Sequence, residues 1–141
     1  MAANYDFAIH LGQAPGSGRL RLESMAVNVG QLGGVGAAHV LEPDGPSAYH
    51  TGLPLHAWVE LLHENGIPAE VSHHAGTYLC NAISYHSQHF ARTLSLRTES
   101  FFLHLPLDVT QVIHELRDTP CLPVDYGARA LRLIVTDLNQ R

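Results

Sequence analysis

The sequence predicts an α/β domain with a largely parallel sheet. Short apolar runs with the length of strands alternate along the chain with segments whose apolar residues recur at helical spacing. Turns that contain glycine or proline separate these segments. Such alternation is typical of layered α/β folds, in which a helix connects one strand to the next parallel strand.

The first half of the chain contains two predicted strands, a loop and a helix. Residues 6–12 (DFAIHLG) predict a buried strand that runs into a tight turn. Residues 22–29 predict a second strand, because apolar residues occur at 22, 25, 27 and 29. Residues 30–46 are expected to form a loop, since glycine fills four of the first seven positions. Pro54 then begins an amphipathic helix that stops at Gly66.

The second half continues the alternation. Residues 67–72 predict a strand, and residues 77–90 predict a helix that follows it after a short turn. Residues 101–105 predict another buried strand. Apolar spacing predicts helices over 109–116 and 128–138.

Composition and charge exclude several classes of protein. A chain of 141 residues that is 45% hydrophobic is long enough for one core, so we expect a single domain over residues 1–141. Eight basic and 13 acidic residues give a net charge of −5, which provides no basic face for nucleic acid or an anionic membrane. Since no long apolar segment or signal-peptide pattern occurs, we expect a soluble cytoplasmic protein.

Cys80 is the candidate nucleophile. It lies in the first turn of a predicted helix, where backbone amides favour the thiolate, so we expect a lowered pKa. The alternative is a small buried apolar residue, which is what most free cysteines are. Cys121 is the only other cysteine, and its loop between two prolines has no helix N-terminus to activate it. We expect Cys121 to be inert.

A base and an orienting carboxylate are available to Cys80. His104 lies in an apolar strand that ends at the carboxyl edge of the predicted sheet, where α/β enzymes place their sites. Glu23 is a charge within an otherwise apolar stretch. A cysteine nucleophile needs a base and a third group that orients the base, and these two residues can supply both. The alternatives are a structural core histidine and a glutamate on a solvent-facing strand edge.

Several motifs resemble one known family, the type I pyroglutamyl peptidases. Its signature is similar to residues 72–81 (SHHAGTYLCN) together with residues 102–106 (FLHLP). Upstream, residues 8–16 (AIHLGQAPG) resemble the family's strand and glycine loop, and residues 22–28 resemble its glutamate-bearing segment. Residues 44–49 (DGPSAY) follow in the same order.

The resemblance implies a three-layer α/β/α sandwich and a cysteine peptidase that removes an N-terminal pyroglutamyl residue from peptides. Residue by residue, Glu23, Cys80 and His104 fall on the family's catalytic triad. Gln13 falls where a side chain faces the substrate lactam. The resemblance implies neither a cofactor nor a metal.

The chain also departs from the family pattern. It has no counterpart of the family's N-terminal strand and aromatic glycine loop, and residues 31–39 lack the arginine that the family carries there. We therefore expect an N-terminally truncated domain, equivalent to the C-terminal two-thirds of the family fold. An exposed sheet edge favours self-association into a homo-oligomer. The missing pocket elements leave an alternative, an inactive or weakly active homologue that serves as a binding or scaffold protein.

Metal binding is a minor alternative. The chain has eleven histidines, including His73 beside His74 and the pair His86 and His89. None of them has the ligand spacing of a zinc site. An exposed polar helix face is the ordinary explanation for His86 and His89.

Overall fold

The computed structural model describes residues 5–31, 36–115 and 117–141. Within these ranges the chain forms six strands and four helices. The strands are β1 (Phe7–Gln13), β2 (Leu20–Glu23), β3 (Met25–Val27), β4 (Ala48–His50), β5 (Ala69–Ser72) and β6 (Glu99–Leu105). The helices are α1 (Leu55–Glu64), α2 (Leu79–Thr93), α3 (Val109–Val112) and α4 (Val124–Leu138).

Four of the strands form the main sheet, in the order β1, β6, β2, β5. This sheet is mostly parallel, which confirms the predicted α/β class. The other two strands, β3 and β4, form a separate antiparallel pair, in which Ala26 lies opposite Tyr49. The order of the main sheet leaves β1 at one of its edges.

The predicted strand over residues 22–29 is wrong in its bounds, because the chain changes partner at Ser24. The Ser24 amide donates to the carbonyl of Ser72 at the end of β5, over 2.7 Å. The Ser24 carbonyl accepts from the amide of Thr51, just after β4, over 3.0 Å. β2 therefore ends before Ser24, and β3 begins after it in the smaller sheet. β4 itself was not predicted.

The chain divides into two compact units. The first consists of the described residues within Met1–His10, Glu23–Leu53 and Ser72–Leu103. The second consists of the described residues within Leu11–Leu22, Pro54–Val71 and His104–Arg141. A single domain over residues 1–141 stays a prediction.

In the first unit, α2 packs against β3 and β4. Ala26, Tyr49 and Tyr85 form a buried cluster, and the centroids of the two tyrosine rings lie 4.9 Å apart. The Tyr85 hydroxyl donates to the carbonyl of Pro46 over 2.8 Å, which satisfies its polar end inside the core. This packing fixes the helix that carries Cys80.

In the second unit, α1 packs against α4. α1 buries Leu55, Trp58 and Leu62. α4 buries a face of small and aliphatic residues that includes Ala130 and Ile134. These apolar stripes recur at helical spacing, as the sequence predicts.

The bounds of two predicted helices, α3 and α4, also differ from the predictions. α3 is only four residues long, because the β-branched Val109, Thr110, Val112 and Ile113 favour helix weakly. α4 begins at Val124 instead of residue 128, directly after Pro123. Leu116 at the end of the predicted 109–116 helix, and residues 32–35 of the predicted loop, lie outside the described residues. In the part of the chain that the structure describes, no helix is both long and apolar enough to cross a membrane.

Candidate active site

Cys80 is the second residue of α2 and is half-buried. Burial raises the pKa of its thiol, a hydrogen bond to the Cys80 backbone opposes this change, and the negative charge of Glu23 raises the pKa further. The predicted lowering of the pKa is therefore wrong. The backbone at the start of the helix favours the thiolate, but the loss of water around the thiol outweighs it.

Glu23 is the last residue of β2, and only 2% of its surface is exposed. The alternative of a solvent-facing strand edge is therefore wrong. Glu23 and Cys80 belong to the same unit, and the negative charge of Glu23 acts on the thiol. A carboxylate this deeply buried is a departure from the ordinary composition of a protein core.

A glycine turn leads the chain into α2. Gly76 adopts a φ of +81°, which side-chain-bearing residues rarely tolerate, and its amide donates to Nδ1 of His74 over 3.0 Å. The Thr77 hydroxyl then donates to Oε1 of Gln31 over 3.0 Å, and the Gln31 amide donates to the Thr77 carbonyl over 2.7 Å. These bonds hold the approach to Cys80 in one conformation.

The start of α2 is also anchored by the side chain of Asn81, which is 1% exposed. Its Oδ1 accepts from the Val27 amide over 2.9 Å, and its Nδ2 donates to the carbonyls of Val27 and Val29 over 2.9 and 2.8 Å. The residue directly after Cys80 is thus tied to β3. Asn81 is the last residue of the 72–81 motif, but the motif itself predicts no role for it.

A cavity of about 190 Å³ lies in the first unit against the first turn of α2. Its walls are mostly apolar. It is lined by Gly30, Gln31, His39, Leu41, Thr77, Tyr78, Leu79 and Ala82. Three of these residues, Tyr78, Leu79 and Ala82, are neighbours of Cys80 in sequence, although Cys80 itself is not part of the lining.

His104 lies near the end of β6 and is 6% exposed. It belongs to the second unit, as does Gln13 at the end of β1. The amide of Ala14 donates to the carbonyl of Leu105 over 2.8 Å, so these two strand ends are paired. Glu23 and Cys80 thus belong to the first unit, and Gln13 and His104 belong to the second.

Gln13 forms a reciprocal amide pair with Gln111 of α3. Nε2 of Gln13 donates to Oε1 of Gln111 over 2.7 Å, and Nε2 of Gln111 donates to Oε1 of Gln13 over 3.3 Å. Gln111 was not among the predicted site residues. A signal was available, because Asp108 followed by glutamine three residues later is a capping-box pattern.

The histidine pairs meet separate partners. Nδ1 of His73 lies 2.6 Å from the Ser24 hydroxyl, and Nδ1 of His89 lies 3.0 Å from the Tyr49 hydroxyl. His86 faces the carboxylate of Glu42 at 3.3 Å. Across the described ranges, no group of three or more histidine, cysteine or acidic side chains is arranged to hold a metal ion.

Comparison with known proteins identifies similar sequences. A family model described as "Pyroglutamyl peptidase" matches residues 1–140. The pyrrolidone-carboxylate peptidase of Thermococcus litoralis is 31% identical over 140 residues, which cover 92% of this chain and 64% of that protein. The corresponding peptidase of Pyrococcus furiosus is 37% identical over 117 residues, which cover 79% and 56%. The chain therefore spans less than two thirds of the length of these two curated relatives.

Solved structures give the same result. A crystal structure of pyrrolidone carboxyl peptidase from Fervidobacterium islandicum AW-1 matches with a TM-score of 0.90 and 35% identity, over 98% of this chain and 71% of that one. A mutant pyrrolidone carboxyl peptidase (A199P) from P. furiosus matches with a TM-score of 0.88 and 30% identity, over 96% and 70%. The likeness covers the fold as well as the motifs.

Proposed function

The chain belongs to the pyroglutamyl peptidase family, and from that membership we propose that it hydrolyses the amide bond after an N-terminal pyroglutamyl residue of a peptide. The observation that carries the proposal is the family match over residues 1–140, which includes Cys80 at the start of α2. The mostly apolar cavity lined by Tyr78 and Leu79, the two residues before this cysteine, supports it, because the hydrocarbon part of a lactam ring is compact and apolar.

The proposed reaction is acyl transfer to sulfur. The Cys80 thiol loses its proton to His104, and the thiolate attacks the carbonyl carbon of the pyroglutamyl residue. The tetrahedral intermediate collapses when His104 returns the proton to the leaving amine. His104 then takes a proton from a water molecule that attacks the thioester carbonyl, the C–S bond breaks to release pyroglutamate, and His104 returns the proton to the Cys80 sulfur. Side chains and water are sufficient for every step.

Because the pKa of the Cys80 thiol is raised, the proposed reaction needs a base that removes the thiol proton. A thiol with a raised pKa holds its proton at neutral pH, so a free thiolate is scarce until a base removes the proton. His104 is the proposed base because it falls on the family's histidine. Glu23 is the proposed third group, which stabilises the positive charge that His104 gains.

The backbone amide of Cys80 is the proposed oxyanion donor. An amide in the first turn of a helix has no partner within that helix and points toward the N-terminus. The tetrahedral oxygen develops negative charge beside the attacking sulfur, so the amide of the same residue is suitably placed to stabilise it.

Release of aminomethylcoumarin from pyroglutamyl-aminomethylcoumarin tests the function. We expect turnover by the 141-residue chain in reducing buffer, and at least about a 1,000-fold loss in Cys80→Ala. Cys121→Ala is the matched control and should retain the activity, because the proposed mechanism assigns no role to Cys121, whose backbone forms a bridge with Leu107. Turnover that survives in Cys80→Ala would contradict the mechanism. No turnover by a folded wild-type chain would contradict the function and favour an inactive homologue.

The wider assignments follow from this function. We propose that the partner is a peptide with an N-terminal pyroglutamyl residue and that the protein acts in the cytoplasm as one domain.

We also propose that copies of the chain associate, because β1 lies at an edge of the main sheet and edge strands present unpaired backbone groups. A single monomeric species in sedimentation at working concentration would contradict association.

A further inference from the structure

We propose that the first unit contains a second binding site, which takes a free α-amino acid in its zwitterionic form with an uncharged polar side chain. The site is a cavity of about 220 Å³ that is lined by the second half of α2, the end of β4 and the start of β6. All of its lining residues belong to the first unit. The inference does not depend on the proposed function, because none of these residues takes part in the proposed hydrolysis.

The cavity lies away from Cys80 along α2. Gln88, Ala91 and Arg92 line it, and their spacing places them on one face of the helix. Cys80 lies eight residues before Gln88, which corresponds to about 12 Å along an α-helix. A ligand in this cavity would therefore occupy a place distinct from the first turn of α2.

Gln88 is the buried polar side chain of this cavity. Only 7% of its surface is exposed, and in the part of the chain that the structure describes its side-chain amide makes no hydrogen bond. Buried amides are usually hydrogen-bonded, because a buried donor or acceptor without a partner is unfavourable. The N–H and the carbonyl oxygen on one edge of the Gln88 amide are both free. They complement an amide of a ligand, which would accept one hydrogen bond and donate another.

Two opposite charges line the same cavity without pairing. Arg92 on α2 and Glu99 at the start of β6 are exposed, and among the described residues neither forms an ion pair. The Arg92 guanidinium lies over the Tyr49 ring, 4.8 Å from its centroid, which holds the positive charge on that side. The Glu99 carboxylate lies beside Gly52, since both of its oxygens would be 4.0 Å from a Cβ added there.

A zwitterion would satisfy both charges at once. The carboxylate of an α-amino acid would pair with Arg92 and its ammonium group with Glu99, while a polar side chain would bind Gln88. The volume favours a ligand of this size, because drug-sized molecules usually occupy sites of about 300–1,000 Å³. L-Glutamine has both charges and a side-chain amide, so it is the probe that fits the lining best.

Titration of the 15N-labelled chain with L-glutamine, followed by NMR, tests the site. We expect saturable shifts of the Gln88 side-chain NH2 signals, with a Kd of about 1 mM or lower. N-acetyl-L-glutamine lacks the ammonium group and L-glutaminamide lacks the carboxylate, so each should bind at least about tenfold more weakly. No saturable shift with L-glutamine, or equal binding of the three compounds, would overturn the inference.

Variants test the location of the bound molecule. Gln88→Met keeps the size of the side chain and removes its hydrogen-bonding groups, and Arg92→Gln removes the charge. Each should weaken the binding of L-glutamine at least about tenfold. Arg97→Gln is the matched control and should bind as wild type does, because Arg97 pairs with Asp6 over 2.8 Å and does not line the cavity. Unchanged binding in the first two variants, each shown to be folded by circular dichroism, or an equal loss in Arg97→Gln, would overturn the inference.

The Cys80→Ala variant separates this inference from the proposed function. It should bind L-glutamine with the affinity of the wild type, because Cys80 is about 12 Å from Gln88 along α2. Loss of binding in this variant would place the ligand in the proposed active site and overturn the inference. Binding by a wild-type chain that hydrolyses no pyroglutamyl substrate would support the inference, and the proposed function alone would fail.

Discussion

The side chain of Asn81 binds the backbone of Val27 on both sides, since it accepts from the Val27 amide and donates to the Val27 carbonyl, each over 2.9 Å. A side-chain amide that pairs in this way forms the same two hydrogen bonds that a residue of a neighbouring β-strand would form. It attaches the first turn of α2 to β3 at the residue next to Cys80. The position of the proposed nucleophile is therefore set by a polar contact inside the core.

Replacement of Asn81 should be costly. Asn81→Ala leaves the Val27 amide and two carbonyls without their side-chain partner in a buried place, so we expect the free energy of unfolding to fall by about 3 kcal/mol. Urea unfolding followed by far-UV circular dichroism measures the change. Asn139→Ala, at an exposed position after α4, is the control and should stay within about 0.5 kcal/mol of wild type. Equal losses in the two variants would show that the contact with Val27 does not stabilise the fold.

The pH dependence of Cys80 alkylation should report the effect of the Glu23 charge on the thiol. Because burial and the charge of Glu23 raise the thiol pKa, the rate of alkylation by iodoacetamide should reach half its maximum at a higher pH than for an ordinary cysteine. Glu23→Gln removes the negative charge and should move this midpoint to lower pH. The measurement is made on Cys121→Ala, so that a single thiol reacts. A midpoint that is unchanged or higher in Glu23→Gln would contradict the electrostatic effect, provided that circular dichroism shows a folded variant.

The α/β class could be predicted because it depends on local apolar spacing. α1 and β6 follow such patterns and were found close to their predicted positions. The break at Ser24 could not be predicted, because the apolar residues continue through Met25 and Val27 while the pairing partner changes. That change depends on Ser72 and Thr51, which lie far along the chain.

The candidate site could likewise be predicted only in part from the sequence. The motif around Cys80 and the isolated charge of Glu23 are visible in the sequence. The direction of the Cys80 pKa shift is not visible, because it depends on how much water the folded chain removes from the thiol. The pairing of Gln13 with Gln111 joins residues 98 positions apart, so no local pattern could predict it.

Replacement of Gly45 by alanine should destabilise the fold. A Cβ at this position would collide with the Tyr85 hydroxyl and would lie 3.0 Å from Cβ of Glu42. Gly45→Ala would push the hydroxyl from the Pro46 carbonyl, and we expect a loss of about 2 kcal/mol in the free energy of unfolding. Thermal and urea unfolding check this. Gly52→Ala is the control, because its Cβ would meet nothing closer than 4.0 Å.

A second variant tests whether the collision with the Tyr85 hydroxyl causes the loss of stability in Gly45→Ala. Tyr85→Phe removes the hydroxyl that the new Cβ would strike, so Gly45→Ala should cost less in that background than in the wild type. The same cost in both backgrounds would show that the collision with the hydroxyl is not responsible.

The contact between Trp58 and Asp137 should make the stability of the second unit depend on pH. The Trp58 indole donates to Oδ2 of Asp137 over 2.8 Å, and this bond, followed by the one from Arg141, lowers the pKa of that carboxyl. A carboxyl with a lowered pKa in the folded state contributes stability above its unfolded pKa of about 3.9, and loses it as the pH falls through the folded value. Asp137→Asn cannot ionise. The difference in unfolding free energy between wild type and Asp137→Asn should therefore be larger at pH 6 than at pH 3.

Trp58 is the only tryptophan, so its fluorescence follows the unfolding directly. Asp118→Asn, an exposed loop variant, controls for general charge effects, and a difference for Asp137→Asn that does not shrink at pH 3 would contradict the linkage.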